Sequence, residues 1–329
     1  MRGLVSGDWS QFTGQINVTA RRAAPNIDEL RVKPLGGYAD AALQLGPRVN
    51  FYNLNSGTPT YDIGELSGDA GSLLSTPGGN SAGQPVNWRV GGRNTSSEFA
   101  GNITDQTGLI KVGTGTLTLS GTNTSTLFTS VGGGTLALSG LINTTNFVVV
   151  SNSATLALSG DITASRVQIN FGGTLNGCGT INGNLLNNGT VLGDCGAPQK
   201  LVVNGSVTNN GTMQVIYRTG LQVSGAFVNN GLLDLLTSAS DVPPNLINHG
   251  TVLLAGNLLI QSFSRLGNSV TLTIQSYNGH TYQLQRTDSL APVAWQNIGA
   301  PQEGDNTALV FTDDTATTAQ NFYQILISP

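Results

Sequence analysis

The residues able to do chemistry are few, so each can be weighed singly. Cys178 and Cys195 lie 17 residues apart with no Cys-x-x-Cys and no zinc-ligand spacing. A structural bond between them is the chemistry left to test. Asp28, Glu29, Asp40, Asp62 and Glu65 gather in the first third of the chain. Glycan-cleaving enzymes need such carboxylates on one face, as acid and base or nucleophile. These five are the place to look for a polysaccharide-active site. Between residues 109 and 256 the ionisable groups are Lys111, Asp161, Arg166, Asp194, Lys200, Arg218, Asp234 and Asp241. In the register derived below they do not share a column, and Asp161 and Arg166 read as solvated turn residues. His249 and His280 each neighbour a glycine and read as loop residues. Asp305, Asp313 and Asp314 offer oxygen ligands for calcium, although acidic loop residues are the plainer reading. No Gly-x-Ser-x-Gly elbow, phosphate loop or Gly-Gly-x-Gly-x-Asp calcium repeat occurs. No catalytic residue, cofactor or metal site is therefore expected.

Composition narrows the class further. Of 329 residues only 10% are charged, against about 25% in ordinary domains. Gly, Ser, Thr and Asn fill the gap, and these favour turns and strands over helix interiors. An apolar content of 38% still builds a core. The net charge of −4 argues against nucleic acid, which needs a basic surface for its phosphates. No apolar run of about 18 residues is present, so no membrane-spanning helix is expected. Met1–Ser10 lacks the basic, apolar and small-residue succession of a signal peptide. Either a signal has been removed or the chain is a piece of a longer protein.

A repeat sets the elements that must position these groups. Gly-Thr-Leu and its relatives place Leu117, Leu136, Leu156, Leu175, Val191, Met213, Leu233 and Val252 at spacings of 19, 20, 19, 16, 22, 20 and 19 residues. A second signature, Leu-Ser-Gly, follows at 119–121, 138–140 and 158–160, with weaker echoes at Val203, Val223 and Leu254. Segments such as Thr116-Leu117-Thr118-Leu119 alternate with the period of two that belongs to strands. Glycine and asparagine punctuate them where positive φ is expected. Short strands, glycine corners and a period near 20 describe the coil of a parallel β-helix. At about 4.8 Å per coil, eight coils make a rod of roughly 40 Å.

Four residues before the marked apolar position stand Asn152, Asn187, Asn209, Asn229 and Asn248. Identical amides on successive rungs can hydrogen-bond up the axis, so these five are expected to form a structural ladder. The following Asn-Gly and His-Gly pairs read as turn corners. Cys178 lies three residues past Leu175 and Cys195 four past Val191, nearly the same place on adjacent rungs. That separation suits a disulfide.

The expected fold is all-β: a right-handed parallel β-helix of ~20-residue rungs, then a small antiparallel β-sandwich. Residues 1–108 read as irregular rungs with loop insertions, Ser67–Pro85 being one loop and Asp28–Gln44 holding a helical turn or cap. Residues 109–264 read as regular solenoid. Residues 265–329, with alternation at Ser269–Gln275 and a turn at Asn278-Gly279, read as the sandwich. An appended domain can cover the hydrophobic end of a solenoid.

The segment Leu109–Thr124 resembles the autotransporter-associated β-strand repeat. Trp9–Val18, Gly64–Gly68 and Val90–Thr95 fit its usual surroundings. The likeness covers residues 7–140 well and the coils to 256 loosely. It implies a right-handed β-helix in large secreted passenger proteins with surface or adhesive roles. The membrane β-barrel of such proteins has no counterpart at this C-terminus. The pattern Tyr282–Gln285, Trp295, Phe311–Asp313 and Phe322-Tyr323 resembles a terminal β-sandwich of large extracellular proteins of Verrucomicrobia and Planctomycetes. The expected function is that of a non-catalytic bacterial surface module, structural or adhesive, outside the cell. Cell-surface or matrix glycans or proteins are the expected partners. Two alternatives stand beside it: a self-assembling extracellular filament subunit and a polysaccharide-active β-helix enzyme.

Overall fold

A computed structural model describes residues 2–33, 37–54, 57–76, 84–240, 242–318 and 320–329. The chain winds into a parallel β-solenoid of about 11 turns and then forms a small antiparallel unit. At about 4.8 Å per turn the solenoid is roughly 50 Å long.

Each regular coil carries three short strands, and like strands stack in register into three faces. On the first face every marked apolar residue lies over the next: Leu117 on Leu136, Leu156, Leu175, Val191, Met213, Leu233 and Val252. The second face carries the inward column Leu30, Phe51, Leu74, Ile103, Asn123, Ile142, Ile162, Ile181, Val203 and Val223. The echoes at Val203 and Val223 therefore belong to this face, not to the column of Leu119. Leu254 lies beyond the last strand, Thr251–Leu253. The third face carries Tyr38, Ile63, Val90, Lys111, Val131, Val150, Ile169 and then four asparagines. One apolar core runs inside these faces from Val32 to Leu235. Alternation explains it, because residues i and i+2 of each strand point inward while their neighbours meet solvent.

The corner glycines have a cause other than φ. Gly189, Gly211, Gly231 and Gly250 stack on one edge, and none has a left-handed φ. A Cβ on any of the last three would meet the carbonyl oxygen of the glycine one rung earlier at 2.1 Å. Close approach of successive backbones, rather than positive φ, excludes a side chain there.

The first hundred residues follow the same stacking with larger side chains. Tyr61, Trp88, Phe51 and Phe99 fill the core there. Within Asp28–Gln44, Asp28–Val32 and Gly37 onward are strand, so the expected helical turn or cap is not found among the described residues, and residues 34–36 of that stretch lie outside them. Within Ser67–Pro85 the strand Leu73–Ser75 belongs to the second face, and residues 77–83 lie outside the described residues.

The C-terminal unit begins with Ile260–Leu266, ahead of the boundary expected at residue 265. Its first sheet joins that strand to Ser269–Gln275 and Ala308–Asp313. The second joins Thr281–Thr287 to Gln296–Asn297, Gln302–Glu303 and Phe322–Ser328. Val270, Leu272, Ile274, Tyr282, Leu284 and Phe311 form the core between them.

Candidate functional site

Two places concentrate polar groups under cover: the asparagine column of the third face and the junction of solenoid with C-terminal unit. In the column, Asn187, Asn209 and Asn229 are fully buried. Each Nδ2 donates to the Oδ1 one rung on, from Asn187 to Asn209, Asn229 and Asn248, at 2.7 Å every time. The other proton of each Nδ2 goes to the backbone: Thr212 O at 2.9 Å, Leu232 O at 2.9 Å and Thr251 O at 3.1 Å. Because carbonyls only accept, these bonds fix which end of each amide is the nitrogen. Every amide is satisfied, the condition under which a buried polar column strengthens a core. Asn248 closes the column at the exposed end, donating to Gly250 O at 3.1 Å.

Asn152 does not belong to the column. It is exposed, and Val150 holds its rung's inward position. Six residues separate Val150 from Leu156, but four separate Asn187 from Val191. The corner at 151–153 is longer, so counting back four from Leu156 lands in a turn. A second ladder, which the sequence reading treated only as corners, runs outside the first. Asn230 donates to Asn210 and Asn210 to Asn188, both at 2.8 Å and in the opposite sense to the buried ladder.

The corner between first and second faces holds the disulfide. Cys178 and Cys195 are bonded with their Cα atoms 6.2 Å apart. Thr219, buried on the next rung, accepts the Cys195 and Gly196 N–H groups at 2.9 Å each.

The five N-terminal carboxylates are dispersed over the faces. Asp28 pairs with Arg22 on the second face. Asp62 pairs with Arg89 on the third. Glu65, on the first, accepts the Thr95 hydroxyl at 2.5 Å and stands 3.9 Å from Arg93. Glu29 meets the Tyr52 hydroxyl at 3.0 Å, and Asp40 is exposed. Of the calcium candidates, Asp305 precedes the strand Ala308–Asp313, while Asp313 ends it and Asp314 follows in the turn. Hydrogen bonds from Thr307 hold the Asp305 carboxyl below its usual range. Burial alone would raise Asp313, but hydrogen bonds from Thr315, Tyr323 and Arg286 bring it below its usual range. Among the described residues no three His, Cys, Asp or Glu side chains cluster as metal ligands.

Lys111 is a buried cation in the apolar half of the third-face column. Its Nζ donates to Val112 O at 2.6 Å, Gly113 O at 3.2 Å and Gly133 O at 3.1 Å. Burial lowers its pKa below the usual 10.5.

At the junction, sequence reasoning missed the pairing of Asp234 with His280. Both are buried; His280 lies in the loop before Thr281–Thr287 as expected, yet it is paired there, whereas His249 is exposed. His280 Nε2 lies 2.7 Å from Asp234 Oδ2, which also accepts Gln214 Nε2 at 3.0 Å. Asp234 Oδ1 takes the Leu236 N–H at 3.0 Å. The carboxylate thus ties two rungs to the C-terminal unit. Gly279 reaches over the solenoid with φ +85°, and its Cα lies so near Gln214 that a Cβ would stand 3.4 Å from that Nε2. Beside this contact opens a cleft of about 580 Å³, walled by the outer side of the first face and by the turn at Tyr277–Gly279. Little in the sequence announces it, because partners 46 residues apart meet only once the sandwich folds back on the rungs.

No protein-family model matches the chain, and no curated protein matches its sequence. The likeness to autotransporter-associated repeats rests on the residues quoted for it.

Proposed function

We propose that this chain is a non-catalytic module of a bacterial cell surface, a passenger-like β-helix that serves as spacer and adhesive. The observation that carries the reading is the unbroken stacking of inward columns through about 11 turns. The faces it presents are poor in charge, and the five N-terminal carboxylates are scattered among them. The Cys178–Cys195 disulfide suits an oxidising compartment outside the cytosol. Among the described residues no helix is long and apolar enough to cross a membrane.

Assembly into filaments is a second reading, favoured by one observation. The sandwich lies beside the last rungs, and among the described residues the strands Leu246–Asn248 and Thr251–Leu253 pair with the rung before them and no other. Open parallel edges invite end-to-end pairing.

Electron microscopy over a range of concentrations, with adhesion of protein-coated beads to cells and a reducing-sugar assay on polysaccharides, tests the proposal. Discrete short rods that bind cells and release no sugar are expected. Fibres with an axial repeat near the rod length would replace the module reading with the filament one. Release of reducing ends would overturn it outright.

A further inference from the structure

We infer that the junction cleft binds a neutral, hydroxyl-rich ligand, the end of an uncharged oligosaccharide chain. The inference rests on the adhesive half of the proposal above and gives it a place. Ligand pockets usually measure about 300–1,000 Å³ and favour domain boundaries, and this cleft of about 580 Å³ meets both conditions.

The chemistry of the walls selects the ligand. Among the described residues no lysine, arginine or histidine lines the cleft, so a phosphate, sulfate or uronate would find no cation among them. The one carboxylate, Asp234, already accepts from Gln214, the Leu236 N–H and the His280 ring, which leaves a metal ion little to bind. What remains open is amide capacity of both signs. Gln214 commits its Nε2 to Asp234, so its Oε1 is left as an acceptor. Asn306 accepts the Asn278 N–H at 3.0 Å on its Oδ1, so its Nδ2 is left as a donor. The exposed Asn278 side chain has no hydrogen bond among the described residues and offers both. Half-buried Tyr277 adds an aromatic surface, and Thr251 adds a hydroxyl. Sugar hydroxyls donate and accept together and carry no charge, which matches this set. A lipid chain would strand the same amides. Asp234 acts as a positioning residue, since through Gln214 and His280 it holds the two walls together.

The test uses the full chain and neutral gluco-, manno-, galacto- and xylo-tetrasaccharides, with a sulfated tetrasaccharide as the charged contrast. Binding is measured by calorimetry and by ligand-detected NMR. At least one neutral probe is expected to bind, with affinity unchanged when salt is raised. Asn278→Ala combined with Asn306→Gly, the latter at a φ of 69° that glycine also adopts, is expected to weaken that binding by about tenfold or more while the circular dichroism stays that of the folded chain. Neutral-sugar binding that survives the double variant would overturn the cleft and leave the adhesive reading standing elsewhere on the rod. Binding confined to the sulfated probe, or no binding to any neutral probe, would also overturn it. Bead adhesion to cells, measured separately, decides the wider reading.

Discussion

The third-face column holds two different cores on one backbone. From Ile63 to Ile169 its inward positions are aliphatic except for Lys111; from Asn187 to Asn248 they are amides. Ile169 stacks directly on Asn187, although the strand pair that carries both shifts register one corner earlier, between Thr163 and Arg166. The coil therefore accepts either chemistry so long as like stands on like. Apolar rungs exclude water through area, roughly 25 cal/mol for each Å² buried. Amide rungs persist because each donor finds an acceptor on the rung beyond. Lys111 shows what a solitary polar group must do in the dry half: it reaches the corner and recruits three carbonyls.

The sharpest way to break the comparison is to exchange the chemistries. Asn209→Leu removes the donor to Asn229 Oδ1 and one acceptor of Asn187. At roughly 1–3 kcal/mol per stranded buried group, the loss should reach about 3–5 kcal/mol in urea unfolding. Val150→Asn, an amide between Val131 and Ile169 with no partner column, should be destabilising too. A cost below about 1 kcal/mol for Asn209→Leu would show that the ladder does not hold its rungs.

Replacing both cysteines by serine should cost about 3 kcal/mol on a chain-entropy argument for a loop of this size. Hydrogen exchange should quicken first around 178–219, where Thr219 anchors the corner. Uniform quickening along the rod would mean that the bond acts on the whole chain instead.

Lys111→Met should cost roughly 2 kcal/mol at neutral pH by stripping three carbonyls of their donor. Its pH dependence gives a second readout. The folded pKa lies below the unfolded value, so between the two the unfolded chain binds more protons and wild-type stability rises with pH. The penalty of burying the charge is present in full below the folded pKa and relieved as pH climbs toward 10.5. The deficit of Lys111→Met should therefore widen over that window, and a constant deficit would show that the ammonium is not the group at issue. The smallest effect belongs to Asn152→Ala, which should change stability by no more than about 0.5 kcal/mol. A loss as large as that of Asn209→Leu would mean that the turn carries the rung.

The rungs were legible because one column repeats itself. Leu117 through Val252 could be aligned by spacing alone, and all eight stack in register. Corners were harder to read. Their length varies without any change of period, which put Asn152 in the wrong column and Val203 and Val223 on the wrong face. The glycine edge was visible as glycine, but its cause was not, since the colliding oxygen belongs to another rung. The junction was least legible. Asp234 and His280 are single residues in unremarkable contexts, and only the docking of one unit on the other makes them partners.

The disulfide also bears on how the rod would behave under tension. A chain anchored at one end and gripped at the other is drawn out rung by rung, and each released residue adds about 3.5 Å of length. The stretch between Cys178 and Cys195 cannot be paid out in this way. Its 17 residues, about 60 Å of extended chain, stay in reserve until the bond is reduced. A stretched molecule would thus carry one fixed short circuit in mid-rod, and its final length would report the redox state of its surroundings.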